Sequence, residues 1–183
     1  MKKVEILASP NPILRKKSKE VEKIDEKIKT VIENMTIALE ASEIEGLAIA
    51  APQIGESVRI ILVRVNEARD KDGKLIQKAI PLTAFINPVI TKLSKDKVIL
   101  DEGCLSYPGY FGPVERPKKI RFEAITIGGK REKMNASGLL ARIVQHEVDH
   151  LDGILFIDLI TDKSKLTKGG DIDVRKAERN KKR

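Results

Sequence analysis

The chain has 183 residues, a formal net charge of +8, 41% hydrophobic and 34% charged residues, enough for one domain with a core and a cleft. Apolar residues are interleaved with charge, no run approaches a membrane span, and Met1-Lys2-Lys3-Val4 leads into Pro10 and Pro12 without a secretion-signal core, so a cytoplasmic protein with no membrane partner is expected. A single cysteine, Cys104, excludes an intramolecular disulfide.

Ile24, Ile28, Val31, Ile32, Met35, Ala38 and Leu39 recur at helical spacing and predict an amphipathic helix from about Asp25 to Ser42. Gly46 opens a loop after it. Val58 to Val65, rich in Val and Ile, reads as a buried strand, and Asn66 to Lys74, with Asp72-Gly73, as a charged turn. Further strands are expected over Ala84 to Leu93, interrupted at Asn87-Pro88, over Lys97 to Leu100, and over Ile120 to Ile127. Tyr107 to Pro117 is dense in Gly and Pro and reads as loop. Ser137 is placed to N-cap a second helix that stops at Gly153, and Leu155 to Ile160 reads as a short closing strand. Strands flanked by one early and one late helix give an α+β fold, antiparallel or mixed sheets packed around the late helix.

The chemistry is concentrated in that late helix. His146-Glu147-Val148-Asp149-His150 holds both histidines of the chain four residues apart, so on a helix the two imidazoles share one face and converge on a single ion. Cys104 would complete three ligands, leaving the fourth tetrahedral position open, which is the pattern of a catalytic rather than a structural site. Glu147 stands beside the ligands and suits a general base.

Three stretches belong together. Gly46-Leu47-Ala48-Ile49-Ala50-Ala51-Pro52-Gln53, Glu102-Gly103-Cys104-Leu105-Ser106 and Gln145-His146-Glu147-Val148-Asp149-His150 resemble, in order, the three signature motifs of bacterial peptide deformylase, with similarity running roughly from Ile6 to Leu159. The resemblance implies a catalytic domain over residues 1–161 and a basic, flexible tail over 162–183. It also implies removal of the formyl group from N-terminal formyl-methionine of nascent chains, with one divalent metal ion, usually Fe2+, replaceable by Zn2+, Ni2+ or Co2+. By the same resemblance, Gln53 and the Leu105 backbone N–H stabilise the oxyanion. Leu47, Ala48 and Gly103 contact the substrate main chain, and Gly46, Leu100, Leu139 and Ile143 form the methionine pocket. Glu102 and Arg116 are placed to pair and brace the metal loop.

The sequence departs from the family pattern at two places. Ala48 stands where the first motif usually has its second glycine, which would tighten the substrate groove or forbid a positive φ. Phe111 occupies a place where many bacterial members carry arginine. From Asp162 to Arg183 there are nine Lys or Arg against four Asp or Glu, and Gly169-Gly170 interrupts any long amphipathic pattern. Such an end reads as solvated surface or, alternatively, as an arm making transient contact with the ribosome, without sequence-specific nucleic-acid reading. Two other functions fit part of the pattern. A zincin-type metallopeptidase would take its third ligand downstream, from Asp158, Asp162 or Glu178, and a non-enzymatic ribosome-associated protein would hold its metal structurally.

Overall fold

The computed structural model describes residues 4–42, 47–69 and 71–169, apart from the side chain of Gln77. Gly46 and residues 170–183 of the basic tail lie outside the described residues. In chain order the elements are α1 (Glu26–Glu40), β1 (Ala48–Ala50), β2 (Ile60–Val65), β3 (Ala68–Arg69), β4 (Leu75–Gln77), β5 (Ile80–Leu93), β6 (Lys97–Cys104), β7 (Tyr107–Pro117), β8 (Lys119–Ile125), β9 (Arg131–Ser137), α2 (Gly138–Leu151) and β10 (Thr167–Lys168), with short 3-10 turns between some of them. The fold is α+β, as expected. No helix among the described residues is long and apolar enough to cross a membrane.

A five-stranded antiparallel sheet, ordered β1-β2-β5-β8-β9, separates two cores. β2 shows why: Ile61, Val63 and Val65 pack with α2, whereas Ile60 and Leu62 pack with α1. A strand covered on both faces needs a near-continuous apolar run, which Ile60 to Val63 supply before Arg64. α1 begins where the Asp25 carboxylate accepts the Ile28 N–H at 3.1 Å, and it buries Ile28, Val31, Ile32, Met35, Ala38 and Leu39. A second sheet, ordered β10-β7-β6, lies against α2 and the chain that follows it. Val114, Phe156 and Ile160 form its core.

Several expectations are corrected. Tyr107 to Pro117 is a strand rather than a loop. Its prolines are tolerated because β10 pairs only with Tyr110 and Phe111, leaving most of the outer edge of β7 open. Leu155 to Ile160 is not a strand: Phe156–Asp158 form a 3-10 turn, closed by the Asp158 carboxylate accepting the Leu155 N–H at 2.9 Å. A six-residue apolar run is ambiguous by pattern alone, and here tertiary packing decides it. β5 continues as one strand past Asn87-Pro88, but the expected interruption is present as a bulge, with the pairing to β8 shifting register between Ile86 and Val89 and Asn87 at φ 49°. The Asn87 amide explains that backbone, since it accepts from the Val21 N–H at 2.8 Å and donates to the Val21 carbonyl at 2.9 Å.

The turn expected over Asn66 to Lys74 is part of a small hairpin, β3 with β4, that extends to Gln77. β9 has no counterpart in the sequence reading, because its inward positions are filled by Glu132, Met134 and Ala136, a weak apolar alternation. Ser137 occupies the N-cap of α2, but its side chain makes no capping bond. Gly153 follows α2 at φ 75°, and a Cβ there would lie 2.5 Å from the Arg15 carbonyl oxygen, so both conformation and close approach demand glycine. Residues 162–169, expected in the tail, hold a 3-10 turn and β10.

Candidate metal centre

Cys104 closes β6 and enters the two-residue turn Leu105-Ser106 that leads to β7. His146 and His150 lie one turn apart on α2, which touches β1 and β2 on one side and β7 on the other. The fold thus brings the thiol of the second sheet against the helix of the first. The ligand atoms of Cys104, His146 and His150 all lie within 4.8 Å of one another, and Cys104 Sγ is 3.1 Å from His150 Nε2. Among the described residues they are the only such group. Ligand spacing in a tetrahedral site with S and N donors is compatible with this cluster.

The second ring nitrogens of the two histidines differ in their surroundings. His146 Nδ1 donates to Glu102 Oε2 at 2.9 Å, which leaves Nε2 as the ligand atom, the arrangement by which an outer carboxylate orients a metal-binding imidazole. The His146 ring also stacks on Phe156, with centroids 6.3 Å apart. The Ser106 N–H points to Cys104 Sγ at 3.4 Å. His150 is buried, and no protein partner is found for its Nδ1 among the described residues. Burial disfavours its charged form, as do the charges of His146 and Arg116, so its pKa falls well below the ordinary value. For His146 burial acts in the same sense, but the hydrogen bonds to Cys104 and Glu102 prevail and raise it.

Glu102 and Arg116 pair as expected. Arg116 Nε donates to Glu102 Oε1 at 2.6 Å and Nη2 to Oε2 at 2.9 Å, while Nη1 reaches Asp149 at 2.7 Å. Burial alone would raise the Glu102 pKa, yet the bonds from His146 and Arg116 hold it at about 2. Glu147 is the opposite case. It is buried, its Oε2 finds no protein partner among the described residues, and burial pushes its pKa up to about 7. A carboxyl group poised there exchanges protons near neutrality.

Gln53 sits in the 3-10 turn Ala51–Ile54 directly after β1. Its side-chain carbonyl accepts the Ala50 N–H at 2.8 Å. The amide nitrogen therefore faces the site, 3.1 Å from Ser106 Oγ and 3.7 Å from Cys104 Sγ. β1 is an edge strand, paired with β2 alone, and Ala48 lies in it without a positive φ, so its methyl group does not strain the backbone and is buried in the core packed against α2. Gly103 faces the ring of Phe111, its partner across β6 and β7; a Cβ there would lie 2.2 Å from that ring. Leu47 is half-buried against the α2 core. Leu100 and Leu139 are 41% and 49% exposed, and Ile143, one turn after Leu139, is buried; apolar surface left open in this way is available to a ligand.

The sequence reading missed Ser106, Arg142 and Asp149. Arg142 carried a usable signal, since it precedes His146 by four residues and so shares the face of both histidines. The alternative third ligands fare poorly: Asp158 bonds Arg15 and the Leu155 N–H, and Asp162 bonds Ser164. Glu178 lies outside the described residues.

Comparison with known proteins identifies the family. Residues 3–166 match the family model for polypeptide deformylase. Peptide deformylase of Dictyoglomus turgidum is 44% identical over 166 residues, which is 90% of this chain and 97% of the relative. The crystal structure of peptide deformylase from Ehrlichia chaffeensis superposes with a TM-score of 0.79 at 32% identity, covering 99% of this chain and 98% of the other. A peptide deformylase from Synechococcus elongatus, crystallised with actinonin, gives a TM-score of 0.75 at 30% identity over 88% of this chain and 81% of that one. The chain belongs to the polypeptide deformylase family.

Proposed function

We propose that this chain removes the formyl group from the N-terminal formyl-methionine of nascent polypeptides and releases formate. The observation that carries the reading is the convergence of Cys104, His146 and His150 with Glu147 buried beside them and raised to about 7. Cys104, His146 and His150 would hold one divalent ion, which when bound acidifies water and polarises a carbonyl oxygen. We assign it as Fe2+, a choice that rests on family resemblance, with Zn2+, Ni2+ or Co2+ as substitutes that the same donor set accepts.

Glu147 takes a proton from the attacking water and delivers it to the amine as the C–N bond breaks. Gln53 Nε2 and the Leu105 N–H donate to the formyl oxygen as negative charge develops there. The free edge of β1 receives the peptide in extended form. Leu47, Ala48 and Gly103 contact its main chain, and Leu100, Leu139 and Ile143, with Gly46, enclose the methionine side chain. Residues 1–161 would form the catalytic domain, in the cytoplasm, and the basic segment 162–183 would supply transient ribosome contact.

The test is formate release from formyl-Met-Ala-Ser by protein purified without oxygen, with its metal content measured. Absence of turnover by metal-loaded protein refutes the activity. Cys104→Ser separates the deformylase from a metallopeptidase with a downstream carboxylate ligand: it cripples the first and leaves the second its metal.

A further inference from the structure

We propose that Arg142 is a positioning residue for the metal site, fixing the Glu102 carboxylate and through it the His146 ring; this rests on the metal-hydrolase reading above. Arg142 is only 8% exposed. Its Nη1 donates to Glu102 Oε1 at 2.5 Å and to the Val114 carbonyl at 3.1 Å, and its Nη2 donates to the Val98 carbonyl at 2.8 Å. Glu102 offers its other oxygen, Oε2, to His146 Nδ1 at 2.9 Å.

Arg142 and His146 stand one turn apart on the same helix, and each grips a different oxygen of one carboxylate. The result is a closed ring: helix backbone, guanidinium, Glu102, imidazole, helix backbone. Arg116 also holds both oxygens, but it extends from β7 and reaches α2 only through Asp149, beyond His146. Arg142 fixes the same carboxylate against the helix that bears the histidines. Its two carbonyl bonds, one to β6 and one to β7, hold that helix against the hairpin that delivers Cys104. The charges also balance, because Arg116 and Arg142 face the carboxylates of Glu102 and Asp149. A buried carboxylate deprived of one of two cations becomes costly to keep in place. Lysine would keep the charge but cannot serve Glu102 and two separate carbonyls with a planar fork.

The experiment uses full-length protein loaded with Co2+. It reads the Co2+ dissociation constant by chelator competition, the visible ligand-field bands, and the melting temperature of the metal-free form. Arg142→Met should weaken Co2+ binding by up to about 10-fold, less than the about 10- to 100-fold expected for loss of Glu102, which bonds His146 directly, and shift the bands. Arg142→Lys should recover part of the affinity. Arg59→Met is the control: it removes another buried arginine against the end of α2, bonded to Asp152 and the Leu151 carbonyl. It should lower the melting temperature while leaving the bands in place. A folded Arg142→Met protein with wild-type affinity and bands overturns the proposal. If that variant does not fold, unchanged affinity and bands in Arg142→Lys overturn it equally. Failure of the wild-type chain to bind Co2+ overturns the metal reading of the site and this inference with it.

Discussion

Gln53 and Ala50 share a hydrogen bond in which the side-chain carbonyl of Gln53 accepts the backbone N–H of Ala50 at 2.8 Å. With the oxygen so engaged, the amide cannot flip without leaving a buried N–H unpaired, and its NH2 group is committed to the side of Cys104 and Ser106. Gln53→Ala should therefore lower kcat by about 2–4 kcal/mol of transition-state stabilisation, with little change in KM. Gln53→Glu should keep the bond to Ala50 and lose as much activity, because it presents an acceptor where a donor is required. Steady-state kinetics check both; unchanged kcat in Gln53→Ala removes its role.

Glu147→Gln should retain the metal and lose activity by a factor of about 10²–10⁴. Loss of metal in that variant, read by elemental analysis, would make Glu147 a ligand and not a base. In the wild type the base acts as the carboxylate, so kcat/KM should climb with pH and level off above the Glu147 pKa. That value is about 7 without metal, and a bound cation favours the carboxylate and moves the midpoint lower. A rate that falls with pH across this range contradicts the assignment.

His146→Ala or His150→Ala should abolish tight binding of the single divalent ion. Full occupancy in both variants would remove the ligand set. If the native ion is Fe2+, activity should decay in air, and replacement by Ni2+ should slow the decay; equal air stability of the two forms argues against iron.

Glu102 makes metal-free protein sensitive to acid. Its pKa is about 2 in the folded chain against an ordinary 4.5, so its contribution is fully present above pH 4.5 and is lost as the pH falls toward 2. The depression corresponds to roughly 3 kcal/mol. The destabilisation caused by Glu102→Gln, measured by denaturant unfolding, should accordingly shrink between those limits. Glu147 acts in the opposite sense and in another window, since its raised pKa of about 7 makes ionisation costly as the pH rises above 4.5. A Glu102→Gln penalty that is constant with pH would show that the carboxylate charge is not what matters.

The candidate metal centre was legible in the sequence because its residue types are scarce. Two histidines and one cysteine leave few ways to build a site, and helical spacing places the two imidazoles together without knowledge of the sheets. The bracing residues were harder. Arg142 and Asp149 look like any helix charges, and only the approach of β6 and β7 to α2 makes Arg142 a buried ligand of Glu102. β7 was misread for a related reason: Gly109, Gly112, Pro113 and Pro117 argue for loop locally, whereas pairing along nearly the whole of β6 decides the conformation. In contrast, β2 was legible from its own residues, since burial on both faces writes itself into the apolar run Ile60 to Val63.

The contact between Gly153 and the Arg15 backbone lies at one end of a larger seam. The Ser18 N–H donates to the Leu151 carbonyl at 2.8 Å, and Arg15 pairs with Asp158 across a separation of 143 residues. Contacts so distant in sequence form late, because loop closure must be met before they contribute. The segment from Arg15 to Ser18 is synthesised well before its partners at the end of α2, and waits without them until they follow. The histidines lie beside that seam, so the centre is assembled only after most of the chain has been made, and an enzyme for nascent chains spends its own synthesis unable to act.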